Sequence, residues 1–507
     1  MYKKYNTNQT TLPLELSALL PQDHLVFVID EFIESLDWSA YPLFEASEGR
    51  PAYHPRLLIK ALLFAYSEGI FSGRKMEKMM LENIAMMWLV SQETISYRTI
   101  NRFRSSLFCQ NLLPELFAEF AAKLKTENMV TMETLFVDGT KIEANANKFS
   151  FVWKKAIERY KASLKEKAMQ YFKEEIQPLV DQAMQIDDSD ELSTAELEEI
   201  ATIIEQEIQD LSSDIEANPV KGKNPKKQRR RTLKKHLRKL VNDFIPRKKK
   251  YAAYEEVFED RNSFSKTDTD ATFMRMKDDY MQNGQLKAGY NIQIGTENQF
   301  ALAVGVFPNP TDTRTLIPFV DSLTILPKTI VADAGYGSEE NLDYLDQIDV
   351  EHLIKYNAFD KEQKHSYKSS DKNRKNWEYV TEENYFVHPD GTKYYFSHIS
   401  RKKNTSGFVQ VIHVYKPTNP EEAPQKSFNY NWHYEELKEQ ETSKLLSPEG
   451  SRVFAQRKID VEPVFGQIKA NLGFTRFHLR GKEKVKVDIE LALMANNLRK
   501  YNLRKAS

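Results

Sequence analysis

The chain has 507 residues, of which 41% are hydrophobic and 29% charged, with a formal net charge of −1. That length exceeds one ordinary core, so roughly two to four structural units are expected, and the composition excludes a disordered or fibrous chain. No stretch reaches about 18 uninterrupted apolar residues, which excludes a membrane-spanning helix, and Cys109 as the single cysteine excludes an internal disulfide framework or a multi-cysteine zinc site.

The opening residues, MYKKYNTNQTT, lack the apolar core of a secretory signal, so a cytoplasmic location is expected. Residues 1–20 read as a loose lead-in. From about 21 to 125 the pattern is helical. Leu57, Leu58, Ala61, Leu62, Ala65 and Tyr66 form one stripe at three- and four-residue steps after Pro55. RKMEKMMLENIAMMWL continues in helical register. SYRTINRFRSSLF predicts a further helix with Arg98, Arg102 and Arg104 exposed and Ile100, Phe103 and Leu107 buried. Short successive helices ending in an arginine-bearing one fit a helix-turn-helix unit on DNA, or a bundle with a solvated face.

METLFVDGTKIEANAN is strand-like. Residues 150–265 return to helix, with marked charge segregation. Residues 187–216 hold twelve acidic and no basic residues, while 221–250 hold fifteen basic residues against Asp243 alone. Leu197, Ile200, Ile204, Ile208, Leu211 and Ile215 step by three or four, as do Leu233, Leu237, Leu240 and Phe244, which predicts an antiparallel helix pair joined near Asn218-Pro219. The basic helix, with Arg229, Arg230 and Arg231, has two readings: it neutralises its acidic neighbour, or it follows a DNA backbone. Combining them, the apolar stripe pairs with the acidic helix and outward cations stay available to DNA.

AGYNIQIGT and QFALAVGVF are strands joined by the turn-like GTENQ. TIVADAGYGS is a strand ending in Asp-Ala-Gly, followed by a helix capped by Ser338 and the strand VEHLIKY. Residues 360–450 are turn-rich, with YFVHPDGTKYYFSHI and GFVQVIHVYK alternating like strands. From about Pro448 the chain is helical again.

Three carboxylates sit where phosphodiester chemistry needs them. Asp138 and Asp333 stand at strand ends and Glu462 on the helix RKIDVEPVFGQIK. Aspartates on adjacent strands with a glutamate on a facing helix hold two divalent cations about 3.5–4 Å apart, and hard oxygen donors suit Mg²⁺ or Mn²⁺. Taken singly, each has a plain alternative: Asp138-Gly139 as a hairpin turn, Asp333 as a loop cap, Glu462 as a solvated helix residue.

In order, VDGTKIEANANKFSFVWKK, TIVADAGYGSEEN and RKIDVEPVFGQIKANLGFTRFHLRG resemble the three blocks of bacterial insertion-sequence transposases of the DDE superfamily. GRPAYHPRLLIKALLFAYSEGIFSGRKME and TINRFRSSL resemble the N-terminal domain of the same transposases. The resemblance implies an α/β fold: a ribonuclease-H-like mixed-sheet core (126–150, 285–360 and 448–507), an all-α DNA-binding domain (1–125), a charged helical insertion (151–284) and a β-rich insertion (361–447). It also implies Asp138, Asp333 and Glu462 as catalytic metal ligands for two Mg²⁺ (or Mn²⁺) ions. The partners implied are double-stranded DNA, as terminal inverted repeats and target, and a second copy in a homodimer or larger synaptic complex near the nucleoid. The activity implied is end cleavage followed by joining of the 3′-OH to target DNA. A catalytically silent DNA-binding regulator and a metal nuclease without strand transfer are the rivals.

In the subgroup with a Tyr-Arg-Glu-Lys signature, the tyrosine, arginine and lysine stand seven before, four before and seven after the glutamate. Here those positions are Ala455, Lys458 and Lys469. Lys469 matches, Lys458 keeps the charge, and Arg457 is adjacent, so these three cations are expected to grip DNA phosphates. Similar transposases carry cysteine clusters at about 385–430; this chain has none, so a metal-free β insertion is expected.

Overall fold

The computed structural model describes residues 15–40, 52–179, 191–219, 222–276 and 284–506. The first fourteen residues of the lead-in, and the start of the block beginning at Gly49, lie outside them. The chain divides into two units, residues 1–145 with 274–507, and residues 146–273.

The larger unit begins with helices α1 (Leu25–Ser35), α2 (Pro55–Ser67), α3 (Gly73–Glu82), α4 (Ile84–Leu89), α5 (Tyr97–Arg104) and α6 (Leu107–Thr126). Pro55 opens α2 with its ring already at a helical φ, and the His54 ring accepts the Arg56 N–H, so one orphan donor of the first turn is satisfied. The run expected as one helix after Gly73 is two, because Asn83 ends α3 and caps α4 by accepting the Met86 N–H at 2.8 Å. Ile100 and Phe103 are buried as expected, but Leu107 is 70% exposed. It starts a new helix and leaves the register of α5 behind.

Strand β1 (Thr134–Glu143) then enters the sheet, followed after the second unit by β2 (Leu286–Glu297), β3 (Phe300–Phe307), β4 (Thr329–Gly337) and β5 (Glu351–Tyr356). These five follow the spatial order β3-β2-β1-β4-β5. β2 is antiparallel to β1 and β3, and β4 is parallel to β1 and β5. This is a mixed sheet of the ribonuclease-H-like kind. Asn298 and Gln299 both have positive φ, which makes the β2–β3 connection the primed turn that matches strand twist.

One sheet face is covered by α11 (Leu316–Asp321) and α12 (Glu339–Gln347). Leu135, Val137, Ile330, Ala332 and Ile354 pack there on Leu316, Phe319, Leu342 and Leu345. The chain ends in α13 (Trp432–Leu446), α14 (Pro448–Gly466) and α15 (Lys482–Ala506). Helix α14 lies against β1, β2 and β4, while α15 lies against α2, α6 and β3. Pro463 sits inside α14, which opens into a wider π-type turn over Gln467–Asn471. Between β5 and α13, strands at Glu378–Val380, Tyr385–Val387, Lys393–Lys403, Val409–Pro417 and Phe428–Tyr430 form an antiparallel sheet around Trp377, Phe386, Tyr394, Tyr415 and Phe428.

The smaller unit is helical, with α7 (Lys154–Tyr171), α8 (Thr194–Ala217), α9 (Pro225–Lys239) and α10 (Ile245–Phe258). Ser193 and Glu196 close a reciprocal capping box at the start of α8. The apolar stripes meet, with Leu197, Ile200, Ile204 and Ile208 packed around Leu233, Leu240 and Phe244. No helix among the described residues is long and apolar enough to cross a membrane.

Candidate active site

The hairpin alternative for Asp138-Gly139 does not hold, because β1 runs through both residues unbroken. Its parallel ladder with β4 ends at Val137↔Ala332. Asp138 and Asp333 are therefore the next residue on each strand, side by side at the point where the pair separates. Since side chains alternate, they leave the face on which Val137 and Ala332 join the core. Local backbone donors fix both carboxylates: the Gly139 N–H reaches Asp138 Oδ1 at 2.7 Å and the Gly335 N–H reaches Asp333 Oδ1 at 2.8 Å.

Helix α14 supplies the next group. Arg457 Nη1 stands 3.1 Å from Asp138 Oδ2, both side chains being largely covered. Its Nε is buried without a hydrogen-bond partner. Lys469 donates to the carbonyl of Lys141 on β1 at 3.2 Å. Glu462 and Lys458 are on the exposed side of α14. Among the described residues no three His, Cys, Asp or Glu side chains converge into a ready-made ion cage. The pair at the point where β1 and β4 separate, two hard oxygen donors that are only partly covered, nevertheless fits a divalent cation that keeps several waters.

Asp312, which the sequence reading passed over, also reaches this region. It precedes α11, and its Oδ1 accepts the side-chain amides of Asn291 (2.7 Å) and Gln293 (3.0 Å) from β2. Tyr336 reports on the shared field. Its fully buried hydroxyl donates to Gln293 Oε1, and its ionisation is pushed well up by burial first and then by the charges of Asp312, Asp138 and Asp333, against relief from Arg457. The local signal for Asp312, Thr-Asp-Thr, looks like any loop acid; its meaning comes from a strand twenty residues away.

The expected DNA-contacting arginines divide. Arg98 and Arg102 are exposed on α5. Arg104 is buried, contrary to expectation: its Nη1 donates to the Tyr66 hydroxyl (2.9 Å) and the Phe71 carbonyl (2.8 Å), and it lies 3.9 Å from buried Asp488 on α15. A guanidinium so covered holds helices together and does not face DNA. In the smaller unit, Arg229 pairs with Glu207 at 2.6 Å and Arg230 donates to Ser212. Arg231 is exposed with Lys227, Lys234, Lys235 and Arg238 along one side of α9.

Comparison with known protein families gives two matches. Residues 262–498 match the family described as Transposase DDE domain, and residues 14–106 match a second described as Transposase domain. The first match takes in Asp312, Asp333 and Glu462; Asp138 precedes it. No curated protein and no solved structure matches the chain.

Proposed function

The chain belongs to the insertion-sequence transposases of the DDE type, and from that premise we propose that it cuts phosphodiester bonds at transposon ends and joins the freed 3′-OH to target DNA. The observation that carries this reading is that Asp138 and Asp333 each follow the last parallel pair, Val137↔Ala332, with α14 laid across their strands.

Asp138 and Asp333 would hold the metal, Mg²⁺ or Mn²⁺ as two ions, with Glu462 as the third carboxylate. When bound, such ions generate the nucleophile at neutral pH and stabilise the leaving oxygen. The chain's own part is to fix the carboxylates through the Gly139 and Gly335 N–H groups and to supply cations beside them. Arg457 takes the guanidinium role of the Tyr-Arg-Glu-Lys subgroup from one residue earlier, which its contact with Asp138 supports; Lys458 and Lys469 complete the grip on phosphate. Arg98 and Arg102 meet the inverted repeats, and the outer cations of α9, Arg231 among them, follow the DNA backbone. Two ends brought together require a dimer at least.

A second reading, a catalytically silent DNA-binding regulator, has one observation on its side: Arg457 occupies an oxygen of Asp138, and Glu462 stays exposed. Substitution separates the two. Asp138→Asn and Asp333→Asn each abolish Mg²⁺-dependent cleavage of end-containing DNA while end binding, read by gel shift, stays near wild type. Full cleavage by either variant rejects the proposal, and absence of cleavage by the wild type favours the regulator.

A further inference from the structure

Asp312 is held as a structural member would be, although its chain neighbours form an ordinary turn. Its Oδ1 takes two amides, from Asn291 and Gln293, whose side chains are 1% and 0% exposed. Both donors sit on β2 opposite Lys141 and Gly139 of β1. Gly139 is what lets the carboxylate in: a Cβ there would stand 2.6 Å from Asp312 Oδ1 and 2.6 Å from Gln293 Nε2. Asp312 thus lies against the backbone next to Asp138.

The following residue grips the other strand. Thr313 Oγ1 donates to the Gly335 carbonyl at 2.8 Å, and Gly335 is the residue whose N–H holds Asp333. Asn341 on α12 then locks both sides of this grip, donating to the carbonyls of Thr313 (2.9 Å) and Tyr336 (2.8 Å). The Asp312 backbone carbonyl accepts from the Thr315 N–H and hydroxyl, which closes the turn on itself. Strands β2 and β4 and helix α12 are tied at one point, with Gly139 of β1 packed against it, beneath the place where β1 and β4 part.

We propose that Asp312 is a positioning residue that sets the spacing of Asp138 and Asp333 where their strands separate, an inference that rests on the reading of those two as the cation-holding pair. It acts through the backbone of Gly139 and Gly335 and touches no reacting atom. A short side chain ending in an oxygen with two lone pairs suits the post, because that oxygen must accept two amides at once. Outer groups of this kind govern how well the inner ligands are aimed.

The test uses the full chain and Mn²⁺ alone, with free Mn²⁺ followed by its paramagnetic resonance. Asp312→Ala lowers Mn²⁺ affinity by about 10-fold or more, in the range for lost outer-shell support. Asp312→Asn, whose side-chain oxygen still accepts both amides, restores most of that affinity. Should Asp312→Ala not fold, Gln293→Met removes one donor at similar volume and produces a smaller loss of the same kind. Unchanged affinity in Asp312→Ala, or in Gln293→Met where the alanine variant does not fold, overturns the role of Asp312 alone, as does an asparagine variant no better than alanine. A wild-type chain that takes up no Mn²⁺ overturns the cation-holding pair itself and the positioning role with it.

Discussion

Glu490 is a carboxyl group placed where water cannot help it. It lies on α15, 2% exposed, beside a cavity of about 240 Å³ lined by Phe117, Leu135 and Leu302. Its Oε2 has no hydrogen-bond partner and Lys486 stands 3.7 Å from Oε1. Burial pushes its pKa up to about 8, against partial relief from Lys486. The folded chain therefore keeps a proton that the unfolded chain has lost, so the stability from this group is complete below about pH 4.5 and falls as pH rises towards about 8. Glu490→Gln should flatten that decline and melt higher than wild type at pH 9, by a few kcal/mol at most, since one pKa unit is about 1.4 kcal/mol. Equal melting of the two proteins across pH 5–9 would show that Glu490 ionises freely. Residues of this sort are hard to see in a sequence. Asp138 and Asp333 stood out only through the order of the blocks that contain them, each having a plain turn or loop reading alone, whereas Arg104 lay on the same helix as Arg98 and Arg102, and its burial depends on Tyr66, Phe71 and Asp488, which are distant in the chain.

Among elements, the elbow between α13 and α14 decides how α14 meets the sheet. Ser447 makes the corner: its hydroxyl accepts the Gly450 N–H at 3.0 Å and donates to the Lys444 carbonyl at 2.7 Å, while Pro448 starts the new helix. The turn is so tight that a Cβ on Gly450 would overlap the Lys444 carbonyl oxygen. Gly450→Ala should cost about 1–3 kcal/mol as an overpacked contact, because the carbonyl is main chain and cannot swing aside. It would also tilt the helix that carries Arg457 onto Asp138. An unchanged melting temperature would mean that the elbow opens freely. Helix α14 was readable, since the chain is helical from Pro448 as expected, but α13 (Trp432–Leu446) was not: it lies in the stretch read as turn-rich and β-like. Nor was the elbow, because nothing in Ser-Pro-Glu-Gly distinguishes a sharp corner from a loose one. The same limit hid Asp312, whose partners Asn291 and Gln293 read as the polar half of an alternating strand.

At the scale of the whole molecule, a net charge of −1 conceals surfaces of opposite kinds. The acidic helix α8 takes up part of its basic neighbour: Glu207 holds Arg229 and Asp214 holds Lys226. What remains on α9 is a file of exposed cations at 227, 231, 234 and 238, four, three and four residues apart and hence on one side of the helix, with Lys235 beside it. The folded pair thus divides the charge run in space: Lys226 and Arg229 are paired with α8, and the file at 227, 231, 234 and 238 faces solvent. Counterion release makes the division measurable, because each phosphate neutralised contributes about 0.9 to the slope of log affinity against log salt. Replacing Lys227, Arg231 and Lys234 together by Gln should lower that slope by roughly 2–3 on duplex DNA of any sequence. Arg229→Gln should instead leave the slope nearly unchanged and lower the melting temperature, since Glu207 and the Leu179 carbonyl lose their partner. If the triple variant kept the full slope, the outer file would be a solvated face, and contact with DNA would have to run through other cations such as Arg98 and Arg102.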